Sequence, residues 1–125
     1  MVDPYELIGT RIKSISAIGT EVGEKIYNNE VPKKAITGPL IKLTKIDGPR
    51  TYKGLSGHVL MQISIHDKDE STVRRVQEAV IAELVEWSGD INGTWASIVY
   101  LTDGIFPADT WWNGTIDLQL KYIEE

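Results

Sequence analysis

The sequence predicts an α+β fold in which an antiparallel four-stranded sheet carries two helices on one face, in the order α-β-β-α-β-β. Three stretches carry that prediction. Residues 56–67, SGHVLMQISIHD, alternate Val59, Met61, Ile63 and Ile65 with His58, Gln62, Ser64 and His66, broken only by Leu60. That is the period of a strand with one buried face. Residues 68–87 follow with Val73, Val76, Val80, Leu84 and Trp87 at three- and four-residue steps, Ile81 at the margin and Arg74, Arg75, Glu78 and Glu86 outside it. This is one apolar stripe on a helix. Residues 114–123 alternate Ile116, Leu118, Leu120 and Tyr122 with Thr115, Asp117, Gln119 and Lys121, a second half-buried strand.

The remaining elements fit around these. Asp3-Pro4-Tyr5-Glu6 is a helix start: Asp3 can cap, Pro4 suits the first helical position, and Glu6 stands where a capping box places its carboxylate. Leu7, Ile8, Ile12, Ile15 and Ile18 continue as one stripe, with Gly19 as terminator, a helix of about four turns. Residues 20–38 lack a period and read as an extended connection. Pro39 to Ile46 is a strand with Ile41 and Leu43 inward, and Asp47 to Gly57 is a long basic loop joining it to the strand at 56–67. After the central helix, Gly89 to Gly93 is a turn-rich break and Thr94 to Leu101 a third strand. Thr102 to Trp112 is a second irregular connection, carrying Ile105, Phe106, Pro107 and Trp111. Both stripes cover one sheet face, and the other face is polar.

Composition narrows the function. With 125 residues, 42% hydrophobic and 25% charged, residues 1–125 read as a single domain. There are no cysteines, which excludes disulfides, cysteine-based zinc sites and thiol nucleophiles. No run has the length of a membrane span, and the N-terminus lacks the basic start of a secretory signal, so the expectation is an intracellular protein. A net charge of −5 without a basic block argues against a protein built to grip nucleic acid.

Residues suited to catalysis do not assemble in the sequence. His58 and His66 share a strand face but stand roughly 26 Å apart, too far to hold one metal ion. His66-Asp67-Lys68-Asp69-Glu70-Ser71 lacks the acid spacing and glycine of a calcium loop, and Asp69 or Ser71 reads as a helix cap. Gly54-Leu55-Ser56-Gly57 lacks the lysine-serine ending of a phosphate loop, and neither Ser56 nor Ser64 has a base beside it. The expectation is no enzyme, no cofactor and no metal. Trp87 and Trp95 read as core. Alternation sends Trp112 inward and Trp111 outward, so Trp111 and Phe106 can anchor a subunit contact or fold back locally.

The chain also resembles the tail-terminator, or tail-completion, proteins of long-tailed bacteriophages and prophages. The resemblance is carried by the helix ending near Gly19, then VGEKIYNNEVP, PLIKLTKI, HVLMQISIHDKD running into STVRRVQEAVIAEL, and a last strand ending TIDLQLKYI. It implies a structural protein of the virion tail, assembled in the host cytoplasm as a homo-hexameric ring that caps the tail tube. The implied partners are the tail-tube protein and the head-completion or connector protein, with DNA passing through without specific binding and no membrane. A closed ring joins two different patches of each subunit. The patches available are the basic loop with Arg50, Tyr52 and Lys53 and the aromatic loop with Phe106 and Trp111. The alternatives are another head-tail or tail-tube subunit, or a small ligand-binding domain using the polar sheet face.

Overall fold

A computed structural model describes residues 3–31, 38–52, 56–84, 86–108 and 110–123, with backbone alone at 47–52, 56–57 and 108. Three helices, α1 (Pro4–Lys13), α2 (Ser16–Val22) and α3 (Glu70–Leu84), accompany six strands. These are β1 (Ile26–Asn28), β2 (Leu40–Tyr52), β3 (Ser56–Asp67), β4 (Ser88–Ile91), β5 (Thr94–Ala108) and β6 (Trp111–Ile123). The sheet has the order β1-β2-β3-β6-β5-β4 and curls into a half-barrel. Only β1 against β2 is parallel; the other pairs are antiparallel.

The four-stranded antiparallel sheet with two helices is therefore corrected to a six-stranded mixed sheet with three. The two missed strands, Ile26–Asn28 and Ser88–Ile91, are too short for a period to register. The N-terminal stripe is divided by a break at Ser14-Ile15, where the Ser14 N–H closes the first helix onto the carbonyls of Thr10 and Arg11 at 3.2 and 3.1 Å. Ile15 is extended (φ −95°, ψ 106°), yet it and Ile18 stay buried, so the stripe survives while the helix does not. The second helix ends at Gly23 (φ 60°), not Gly19.

The two long connections are strand as well. β2 continues to Tyr52 with register shifts at Lys45/Asp47 and Asp47/Arg50, and β5 continues to Ala108 with a shift at Tyr100/Thr102. Each shift inserts residues that reverse the alternation, which is why the pattern reads as irregular. The result is two long hairpins, β2-β3 and β5-β6, pointing to opposite ends of the sheet. Ser56 pairs with Ile123 at one end, and Asp67 pairs with Trp112 at the other.

All three helices pack on one face. Leu7, Ile8, Ile12, Ile18, Val73, Val76, Val80 and Leu84 meet Ile41, Leu43, Met61, Ile63, Ile98, Ile116 and Leu118 in one buried cluster. At Gly114 an added Cβ would stand 2.7 Å from Val73 Cγ1, so only glycine lets α3 approach this closely. Gln77, buried on α3, donates from Nε2 to the carbonyls of Gly104 and Thr115 at 3.0 Å each, fastening the helix across β5 and β6.

Candidate assembly surface

The sheet face away from the helices is polar in its middle. Gln62 Nε2 donates to Asp117 Oδ1 at 2.9 Å, and Ser64 Oγ donates to Gln62 Oε1 at 3.4 Å. Lys42 and Thr115 are the cross-strand neighbours of Ser64, and His58 faces Lys121. His66 and Asn113 are paired across β3 and β6, and His66 Nε2 and Asn113 Oδ1 are both buried without a hydrogen-bond partner. Burial, then the nearby Lys42 charge, holds the His66 pKa below its ordinary value. Among the described side chains, Lys42 and Lys121 stand on this face with Asp90 and Asp117.

Apolar exposure lies at the ends, along the β5 edge and at Ile46, the residue inserted at the Lys45/Asp47 shift of β2. Trp95, Leu101, Phe106 and Ile123 are 51, 48, 44 and 46% exposed. Trp95 was expected in the core; Ala96 and Ile98 take the core positions of β5, and alternation turns Trp95 to the opposite face. Leu101 is the residue inserted at the register shift. Tyr100 donates through its hydroxyl to Asp103 Oδ2 at 2.5 Å, which pushes the phenol pKa up. The Tyr100 N–H reaches Glu86 Oε1 at 3.3 Å.

The five expected interface residues divide between the two hairpins. Arg50 and Tyr52 lie in β2 opposite His58 and Ser56, and Lys53 lies outside the described residues. Phe106 and Trp111 lie on the β5-β6 hairpin, Phe106 opposite Asn113 and Trp111 opposite Ala108. Trp111 is half-buried, with Lys68 Nζ 5.9 Å from its ring centroid, and Trp112 packs against the core as alternation required. The structure does not bring these two groups together within one subunit. They belong to opposite ends of the sheet.

A cleft of about 550 Å³ is lined by Ile12, Lys13, Ile18, Gly19, Gly23, Glu24 and Ile26, an ammonium and a carboxylate with no nucleophile beside them. Among the described residues no group of three or more His, Asp or Glu side chains is placed to hold a metal ion. No helix among them is long and apolar enough to cross a membrane. Asp69 caps α3, accepting from the Ser71 N–H at 3.1 Å and from the hydroxyls of Ser71 and Thr72, and those bonds lower its pKa.

No family model and no curated protein matches the sequence. The fold has solved counterparts. A chain of the virion of a native gene transfer agent particle superimposes with a TM-score of 0.74 at 12% identity, over 96% of this chain and 94% of that one. A virion chain shares this fold. A second solved chain matches with a TM-score of 0.53, also at 12% identity and over the same shares of both chains.

Proposed function

We propose that the chain is a structural subunit of a phage-like virion and, within that class, a tail terminator. It assembles as a six-fold ring that stops growth of the tail tube and offers a surface to the head connector. The observation that carries the reading is the shared fold, end to end, with a chain of a gene transfer agent virion. The six-fold ring comes from the sequence resemblance to tail terminators. A polar sheet face with few charges suits the wall of a channel through which DNA slides, because clustered lysines would hold phosphates. Phe106 and Trp111 on one hairpin, and Arg50, Tyr52 and Lys53 on the other, then serve contacts between neighbours or with the tube and connector. Trp111→Ala, or Arg50→Ala with Lys53→Ala, is expected to leave the monomer folded and weaken assembly, read by unfolding beside sedimentation.

Molar mass by light scattering across a concentration series, with electron microscopy of the heaviest fraction, tests the reading. Discrete six-fold rings are the expected result. Open-ended tubes would move the chain to the tail-tube class, the second reading the shared fold supports. A monomer at every concentration, including in the presence of tail tubes, would remove both.

A further inference from the structure

We infer that successive copies join edge to edge: the outer edge of β5 from Tyr100 to Phe106 pairs with the outer edge of β2 from Thr44 to Thr51 of the next copy. The inference rests on the ring reading and adds which backbone groups meet, in which direction and in what register.

Among the described residues both edges have open stretches. β4 covers only Thr94 to Ser97 of β5, Glu86 and Trp87 cover Ile98, and the Glu86 carboxylate takes the Tyr100 N–H. β1 covers only Ile41 to Leu43 of β2; Asn29 adds a bond to Leu43, and the Tyr5 hydroxyl takes the Lys45 N–H. Beyond these, no strand among the described residues lies beside Tyr100 to Phe106 or Lys45 to Thr51. Long free edges are pairing templates that proteins ordinarily cover.

Direction follows from strand parity. β2, β3, β6 and β5 alternate, so β2 and β5 run in opposite senses. A ring rotation preserves sense about its axis, so β5 of one copy meets β2 of the next antiparallel. An odd number of alternating strands would have met parallel.

Register follows from where the openings lie. The open part of β2 is toward the Tyr52-Ser56-Ile123 end, and that of β5 is toward the Leu40-His66-Asn113-Phe106 end. The two meet only if the next copy slides along the strands. Closed sheets impose such a slide: strands tilt about 35–45° to the barrel axis. Four strands about 4.8 Å apart span roughly 19 Å, so each copy shifts by ~13–19 Å, four to six residues. The shift must be even to keep helices on one side and the polar face on the other. Four residues sets Phe106 beside Thr44, Gly104 beside Asp47 and Thr102 beside Arg50, and it covers the exposed Phe106.

The chain contains no cysteine, so introduced pairs report cleanly. The full chain carrying Thr44→Cys and Phe106→Cys is assembled, mildly oxidised and run on a non-reducing gel. The expected result is a ladder of covalent oligomers ending at the ring, absent from either single variant. It is absent too when Lys45→Cys, whose position faces the helix side with Met61, replaces Thr44→Cys. A ladder from Asp47→Cys with Phe106→Cys supports the same pairing at the six-residue shift. Rings seen by microscopy without a ladder from either pair overturn the edge pairing and leave the ring reading standing. A covalent dimer from Phe106→Cys alone also overturns it, since β5 would then meet β5. A covalent ladder from chains that form open arrays supports the pairing while removing the ring. Absence of any oligomer, by gel and by microscopy, removes both.

Discussion

Gly114 and Val73 fix how near α3 lies to the sheet, and the distance between them makes a sharp test. A Cβ at 114 would be 2.7 Å from Val73 Cγ1, and a β-branched side chain on a helix has little freedom to turn away. Gly114→Ala is therefore expected to destabilise the domain by about 1–3 kcal/mol, as overpacking does. Urea unfolding checks it, and adding Val73→Ala should recover part of the loss if the clash is its cause. His66 provides a pH dependence on the opposite face. Its pKa is lowered from 6.5 chiefly by burial, so the unfolded chain takes up the proton more readily than the folded one. Stability is then full above pH 6.5 and falls as pH drops from there through the folded-state pKa. His66→Gln should flatten that part of the stability curve; an unchanged slope would assign it to other groups.

The helices are joined by a few directed contacts. Arg11 of α1 places its guanidinium 4.3 Å from the Trp87 ring centroid and donates through Nη2 to the Glu83 carbonyl at 2.8 Å, in the last turn of α3. Arg75 of α3 meets Glu21 of α2 through two bonds of 2.8 and 3.0 Å, an exposed pair of small worth. Removing the first link by Arg11→Ala should cost about 1–2 kcal/mol, and Arg11→Lys should restore little, because an ammonium cannot both stack on the ring and reach the carbonyl. Thermal unfolding of the two variants separates packing from charge. Much of this architecture was legible in the residues. The alternation of β3 and β6 and the stripe of α3 were readable because one face of each is buried without interruption. Where shifts at Lys45, Asp47 and Tyr100 reverse the alternation, the same rule took strand for loop, and the helix break at Ser14-Ile15 was hidden because burial of Ile15 preserves the stripe. For the candidate surface, position beside a strand entry marks Phe106 and Trp111 as outward-facing; Phe106 is exposed, whereas Trp111 is half-buried. Trp95 was missed although the signal was present: Ala96 and Ile98 inward require Trp95 and Ser97 outward.

In the proposed ring the open stretches of the β5 and β2 edges would be paired by neighbouring copies. Around the proposed ring the face opposite the helices forms the channel wall. Among the described side chains it presents Lys42 and Lys121 against Asp117, with Gln62, Ser64, Thr115 and Gln119 between them. Phosphate binding grows with the number of cations that can act together, and binding falls with salt at a log-log slope of about −0.9 per phosphate neutralised. Among the described side chains, two separated lysines accompanied by Asp117 give little with which to hold DNA. The assembled protein is therefore expected to retain duplex DNA weakly at about 0.15 M salt, with a shallow salt slope. Gln119→Lys with Ser97→Lys, both on that face and away from the open edges, adds cations to every copy and should turn the wall into a binding surface with a steep slope. A filter-binding series from low to high salt on both proteins measures this. Strong, salt-sensitive retention by the unaltered ring would mean that the wall grips its passenger, and a smooth channel for DNA would no longer describe it.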